Sequence, residues 1–284
     1  MSSEKALRWV FFGKGGIGKS TISSAVCCEL AARGHKVLRV GCDPKKDSSS
    51  GLMGHRPVVT YSELYCAGKV SEDRLIMSNE YGIDCVEAGG PEPGTGCAGR
   101  GVSLLLDYLN ESGLVRRRGY DSVVYDVLGD VVCGGFAAPM RMGFADRAFI
   151  VLGVDLMSML AANNIAKAVA RYSANGVTLG GLIVNRVRKA DHAPLALFSS
   201  AINSRVIGAL PDDPAVVSAD FAGEPVPAFS PGAPFTAAVR AAVGRMLALK
   251  SCPRPRPMSD AVFAKFKLEL AARARAAGRG RAPK

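Results

Sequence analysis

A nine-residue segment, Gly13-Lys14-Gly15-Gly16-Ile17-Gly18-Lys19-Ser20-Thr21, stands between an apolar run at Arg8 to Phe12 and a helical pattern at Ser20 to Ala32. Strand, glycine loop and helix in that order let backbone N–H groups at a helix N-terminus approach phosphate oxygens. Two patterns overlap in the loop. Gly13, Gly15 and Gly18 fit the G-x-G-x-x-G turn of dinucleotide folds, while the whole loop fits G-x-x-x-x-G-K-[ST]. Lys19 and Ser20 decide for the second. A lysine for the β/γ-phosphates, followed at once by a hydroxyl for Mg²⁺, suits a triphosphate and is not required by a pyrophosphate. Lys14 adds a second cation inside the loop, either solvated or reaching a phosphate, including one on a neighbouring subunit.

The rest of the chain repeats the strand and helix alternation. Lys36 to Val40, Ser122 to Tyr125, Arg147 to Leu152, Leu179 to Val184 and Arg205 to Leu210 are short apolar runs, with helical stretches near 158–173 and 234–248. Near-continuous apolar strands separated by helices predict an α/β fold, a doubly wound and mostly parallel sheet covered on both faces. We expect one phosphate-loop domain over 1–250, then a Pro/Arg-rich linker and basic tail over 251–284, with a helix over 261–277. The charge is uneven. The formal net charge is +11, but nine Lys/Arg and two acids fall in 251–284, so the domain is nearly neutral and its composition does not indicate nucleic acid. A hydrophobic content of 48% argues against disorder throughout. No apolar run reaches the roughly 18 residues of a membrane span, and Met1 to Trp9 is too polar for a secretory signal. The expected compartment is the cytoplasm, where eight cysteines do not read as a disulfide framework.

Several long motifs occur in register: the loop itself; Val40-Gly41-Cys42-Asp43-Pro44-Lys45-Lys46-Asp47-Ser48; Glu87 to Gly101, containing Gly96-Cys97-Ala98-Gly99-Arg100; and Tyr125-Asp126-Val127-Leu128-Gly129-Asp130-Val131-Val132-Cys133-Gly134-Gly135-Phe136. Ala161-Ala162-Asn163-Asn164 and Gly180 to Asn185 follow in order. From about residue 8 to 215 the chain resembles the nitrogenase iron-protein family. The resemblance implies a homodimeric ATPase with one [4Fe–4S] cluster between subunits, fed by ferredoxin or flavodoxin and passing electrons to a nitrogenase-like heteromeric catalytic component. A cubane cluster needs four thiolates. Cys97 and Cys133 are the cysteines in glycine-dense settings, and two ligands per chain close the site about a two-fold axis. The other six read as packing residues.

The aspartates divide by position. Asp43 follows the second strand at the carboxyl edge of the sheet, where it can orient or deprotonate attacking water; the resemblance places it in a first switch, with Asp47 as a relay. Asp126 ends a strand, as a carboxylate holding Mg²⁺ or its water alongside Ser20. Asp130 lies between Asp126 and Cys133, so a second switch joins metal site to cluster ligand. Asn185 closes an apolar strand where its amide can pair with an adenine edge. Pro211 and Asp213 fall in an adenine-side loop of the family, and Asp155 falls where relatives carry Glu against a nucleotide across the dimer. Arg100 and Arg141 are expected to dock a partner, Arg100 matching a site of ADP-ribosylation in some relatives.

The partner-facing segment Pro139-Met140-Arg141-Met142-Gly143-Phe144 has apolar or small residues where nitrogenase reductases place charges. A changed rim implies a changed partner more readily than changed ATP chemistry. The expectation is therefore a nitrogenase-like reductase, with methylthio-alkane reductase as the leading candidate by elimination. The alternatives are a nitrogenase iron protein proper, the reductase component of a tetrapyrrole-reducing enzyme, a non-redox partition-type ATPase, and an iron–sulfur carrier ATPase.

Overall fold

The computed structural model describes residues 6–43, 46–90, 98–127, 129, 137–188 and 192–279. Eight strands form one sheet: β1 (Leu7–Phe12), β2 (Val37–Cys42), β3 (Met77–Ser78), β4 (Ile83–Glu87), β5 (Ser122–Val127), β6 (Arg147–Leu152), β7 (Thr178–Val187) and β8 (Val206–Pro211). Their order is β3-β4-β2-β5-β1-β6-β7-β8. Every pairing is parallel except β3 with β4. Twelve helices are described, in chain order: α1 (Lys19–Ala31), α2 (Tyr61–Cys66), α3 (Glu72–Leu75), α4 (Ala98–Glu111), α5 (Leu114–Arg117), α6 (Ala138–Arg141), α7 (Leu156–Arg171), α8 (His192–Ala201), α9 (Pro214–Ala222), α10 (Val226–Phe229), α11 (Pro234–Leu247) and α12 (Asp260–Arg279).

Alternation along the strands sends side chains to two cores. Val10, Phe12, Leu38, Val40, Val123 and Tyr125 pack on the face covered by α4 and α7, whereas Trp9, Phe11, Val37, Cys85, Val124 and Phe149 pack on the face covered by α1 and α11. A parallel sheet buried on both faces is the doubly wound architecture expected from the runs of apolar residues. Strand β4 was not among those runs. Ile83-Asp84-Cys85-Val86-Glu87 is interrupted by two acids, and the fold pairs both: Asp84 accepts from the hydroxyls of Ser78 and Tyr120 at 2.5 Å each, and Glu87 from the Ser49 N–H at 2.7 Å.

The segment after Lys250 runs back over the domain. Arg256 N donates to the Ile202 carbonyl at 2.9 Å, and the buried Asn163 amide exchanges two hydrogen bonds with the Met258 backbone at 2.9 and 2.8 Å. Phe263 and Phe266 on α12 are buried in the core that holds Phe198 of α8, with the Phe266 ring centroid 6.1 Å from that of Phe198. One packing expectation is corrected: Cys66 is exposed, because it closes α2 on its solvent side. Cys27, Cys42 and Cys85 are buried as expected. Among the described residues no helix is long and apolar enough to cross a membrane.

Candidate functional site

Sheet register sets the site. Phe11 of β1 and Gly41 of β2 both lie opposite Asp126 of β5, and Gly41 in turn lies opposite Glu87 of β4. Asp126 and Glu87 therefore stand on one row at the carboxyl end of the sheet, on the α1 face, with Gly41 between them. A Cβ on Gly41 would collide with the Glu87 carboxylate, so the glycine makes room for a buried acid.

The loop begins two residues beyond that row. Gly16 and Gly18 have φ of 73° and 94°, values that glycine adopts without the steric cost other residues meet, and Gly18 leads directly into α1. Gly13 passes against the Val151 carbonyl so closely that a Cβ would overlap it. Its N–H donates to the Gly129 carbonyl at 3.5 Å, which brings the loop to the segment after β5. Lys19 is 7% exposed and heads α1; Ser20 and Thr21 follow it, partly exposed. Lys14 is half-buried and its carbonyl accepts from Ile17 N at 3.3 Å.

Asp126 is 2% exposed. Its Oδ2 accepts from Arg39 Nη2 at 2.7 Å, while Oδ1 has no hydrogen-bond partner among the described residues. Buried polar atoms are rarely left unpaired. A carboxylate oxygen unpaired at the foot of a phosphate loop, with the Ser20 hydroxyl in the same loop, fits a nucleotide-bound divalent cation or its water. Arg39 was absent from the sequence expectations. It is fully buried and also donates to Ser23 Oγ of α1 at 3.0 Å and to the Ser48 carbonyl. Burial works against its charge, but Asp126 and other acidic neighbours outweigh that and hold the guanidinium protonated. Burial pushes the Glu87 carboxyl up to about 7, against the Ser49 hydrogen bond and the nearby Arg39 charge, which favour its ionised form. A signal for both existed: an arginine inside a six-residue strand of a central parallel sheet requires an acid on a neighbouring strand.

The other expected residues are dispersed by role. Asn185 lies at the loop, its Nδ2 donating to the Ile17 carbonyl at 2.8 Å. Asp43 directly follows β2 and is partly exposed, and Asp47 is exposed near Ser48. Asp155 caps α7, accepting from Ser158 N at 2.8 Å. Asp213 caps α9 and reaches α11, accepting from Ala215 N at 3.0 Å and Phe235 N at 2.9 Å; Pro211 ends β8. Arg100 and Arg141 are exposed on α4 and α6. Cys97, Asp130 and Cys133 lie outside the described residues. In the sequence Cys97 directly precedes α4 and Cys133 lies shortly before α6, and these two helices pack against each other.

These features define an α/β phosphate-loop protein with its loop over the carboxyl edge of a parallel sheet. Solved structures agree on that fold: the MinD cell division protein of Aquifex aeolicus matches with a TM-score of 0.65 at 20% identity, covering 88% of this chain and 100% of that one. The ParA family ATPase of Chlorobium tepidum matches with 0.66 at 18%, covering 87% and 100%. Sequence takes the assignment further. Residues 7–271 match the family described as 4Fe-4S iron sulfur cluster binding proteins, NifH/frxC family, and the chain belongs to it. Nitrogenase iron protein 2 of Methanothermococcus thermolithotrophicus is 39% identical over 237 residues, 78% of this chain and 81% of the relative. The nitrogenase iron protein of Methanospirillum hungatei is 39% identical over 254 residues, 87% and 90%.

Proposed function

We propose that the protein is an ATP-dependent electron donor, a homodimer that holds a [4Fe–4S] cluster through Cys97 and Cys133 of each chain and serves a nitrogenase-like catalytic component. The observation that carries the ATP half is the buried Asp126 carboxylate, with one oxygen held by Arg39 and the other unpaired at the foot of the glycine loop. Backbone N–H groups of Gly13 to Thr21 and the Lys19 ammonium bind the phosphates. Ser20 and Asp126 hold Mg²⁺. Asp43 orients water at the carboxyl edge, Lys14 reaches the nucleotide across the dimer, and Asp130 and Gly129 carry loss of the γ-phosphate toward Cys133. The family match supports the redox half. Two cysteines per chain, preceding helices that pack on each other, suit a site shared about a two-fold axis. When bound, the cluster supplies one electron at a time.

The partner is the finer part of the proposal. Over 137–144 the described residues are buried or partly buried apart from Arg141, so this rim offers one exposed charge. That favours a nitrogenase-like component, methylthio-alkane reductase being the leading candidate, over dinitrogenase. The names of the curated relatives support the second reading, a nitrogenase iron protein proper. Anaerobic purification tests the core: four irons per dimer, a reduced-cluster EPR signal lost in Cys97→Ala and Cys133→Ala, and MgATP hydrolysis lost in Lys19→Ala. A full cluster in the cysteine variants would overturn the ligand assignment. Anaerobic capture of the catalytic component, followed by ATP-dependent reduction of dinitrogen or of a methylthio-alkane, separates the two partners.

A further inference from the structure

Arg39 joins three elements that the ATPase cycle must coordinate. Its guanidinium contacts Asp126 at the end of β5, Ser23 one turn into the phosphate-loop helix, and the Ser48 carbonyl in the segment after β2. The side chain is fully buried, so it touches neither nucleotide nor solvent. Its neighbours on the strand, Leu38 and Val40, pack as ordinary apolar residues on the opposite face. An apolar residue at 39 would avoid the cost of burying a charge, which is often no loss to stability. The cation stands, however, beside a carboxylate at the carboxyl end of the sheet whose second oxygen has no hydrogen-bond partner among the described residues.

We propose that Arg39 is a positioning residue that carries the metal-bound or metal-free state of Asp126 to the first switch through the Ser48 carbonyl. The guanidinium is planar and its donors are fixed relative to one another. Nη2 holds Asp126 Oδ2, which leaves Oδ1 for the cation, and Nη1 holds Ser48, so a shift of the carboxylate on the metal shifts the switch backbone with it. Ser48 and Ser49 are buried, whereas Asp47 beside them is exposed. The fork therefore grips the switch at its buried root, beside an acid that stays exposed. The inference rests on the ATPase reading proposed above.

Hydrogen exchange over residues 46–53 tests it, measured on the full-length protein without nucleotide, with ATP plus EDTA, and with MgATP. In the wild type MgATP is expected to slow exchange about tenfold relative to metal-free ATP. Arg39→Lys keeps the charge and loses the fork. It is expected to bind metal-free ATP within about threefold of wild type, to lose the Mg²⁺-dependent protection, and to lower kcat about tenfold with little change in KM. A merely structural arginine would instead raise exchange equally in all three states, and that outcome, or full Mg²⁺-dependent protection in Arg39→Lys, overturns the proposal. Should the variant not fold, ¹⁵N-arginine wild type gives the same decision: the slowly exchanging buried guanidinium signals must move between ATP plus EDTA and MgATP, and unmoved signals overturn it. A wild type that binds no ATP would overturn the ATPase reading itself, and this one with it, before any variant is compared.

Discussion

The Asn185 side-chain nitrogen donates to the Ile17 carbonyl 2.8 Å away, and a Cβ on Gly18 would strike the same nitrogen. The residue expected at the adenine edge thus braces the phosphate loop from β7. Loss of a net hydrogen bond of about 1 kcal/mol in Asn185→Ala should weaken ATP, GTP and inorganic tripolyphosphate alike, by about fivefold. Competition titrations with the three ligands check this. A loss confined to ATP would return Asn185 to the base.

Gly18→Ala should act on the same brace more severely. The φ of 94° strains any L side chain by about 1 kcal/mol or more, and the new methyl displaces the Asn185 amide. Triphosphate affinity is expected to fall well over tenfold while the urea midpoint moves modestly, since within the loop Ile17 alone is a hydrophobic side chain packed on a core, and it packs there only partly buried. Equal losses in the two measurements would place the glycine's role in folding.

Glu87 gives a pH signature. Its carboxyl is pushed up to about 7 from an ordinary 4.5 by burial. Below that ordinary value both folded and unfolded chains hold the proton and nothing is lost. As pH rises the unfolded chain ionises first, so stability falls up to and through about 7 and then levels. The total is on the order of 3 kcal/mol. Glu87→Gln lacks the proton, so its stability measured by urea unfolding should fall less than wild type between pH 5 and 8. Parallel curves would show that the buried carboxyl is ionised throughout.

How much of this was legible depended on whether the deciding contact was local. The glycine loop, with Lys19 and Ser20, is a contiguous signal, and its strand and helix were found with it. Asp126 was readable because it ends an apolar strand. Arg39 was hidden inside a run that otherwise reads as core, and its reason is spread over Asp126, Ser23 and Ser48, brought together by a strand order that sequence does not display. β4 was missed for the same reason. Its acids look like breaks in a pattern until Ser49, Ser78 and Tyr120 arrive from elsewhere to pair them. Asp155 and Asp213 carry a role that family position did not suggest: each carboxylate is a helix cap in this structure.

The thiols should separate cleanly. Burial pushes Cys28 and Cys85 up to about 12 and raises Cys27 and Cys42 well above the ordinary range, whereas Cys66 is exposed. Alkylation requires thiolate. At pH 8 native protein should be modified by iodoacetamide at Cys66 at least about a hundredfold faster than at those four, as read by peptide mass spectrometry. Rapid native labelling of Cys85 would mean that the sheet opens around β4, which lies between β3 and β2.

Asn163 should control the C-terminal segment. Its amide pairs with both the N–H and the carbonyl of Met258, as a neighbouring strand would, at the point where the proline-rich stretch turns into α12. Asn163→Ala strands two buried backbone groups at a cost of about 1–3 kcal/mol each. Phe266→Ala, further along, removes an aromatic ring from the core at roughly 3 kcal/mol or more. If α12 docks as one unit, both variants lower the melting temperature, and both raise amide exchange at Met258 and Phe263 together. An exchange increase confined to Met258 in Asn163→Ala would show that the helix holds by its own phenylalanines and that the clamp orders only the connection to it.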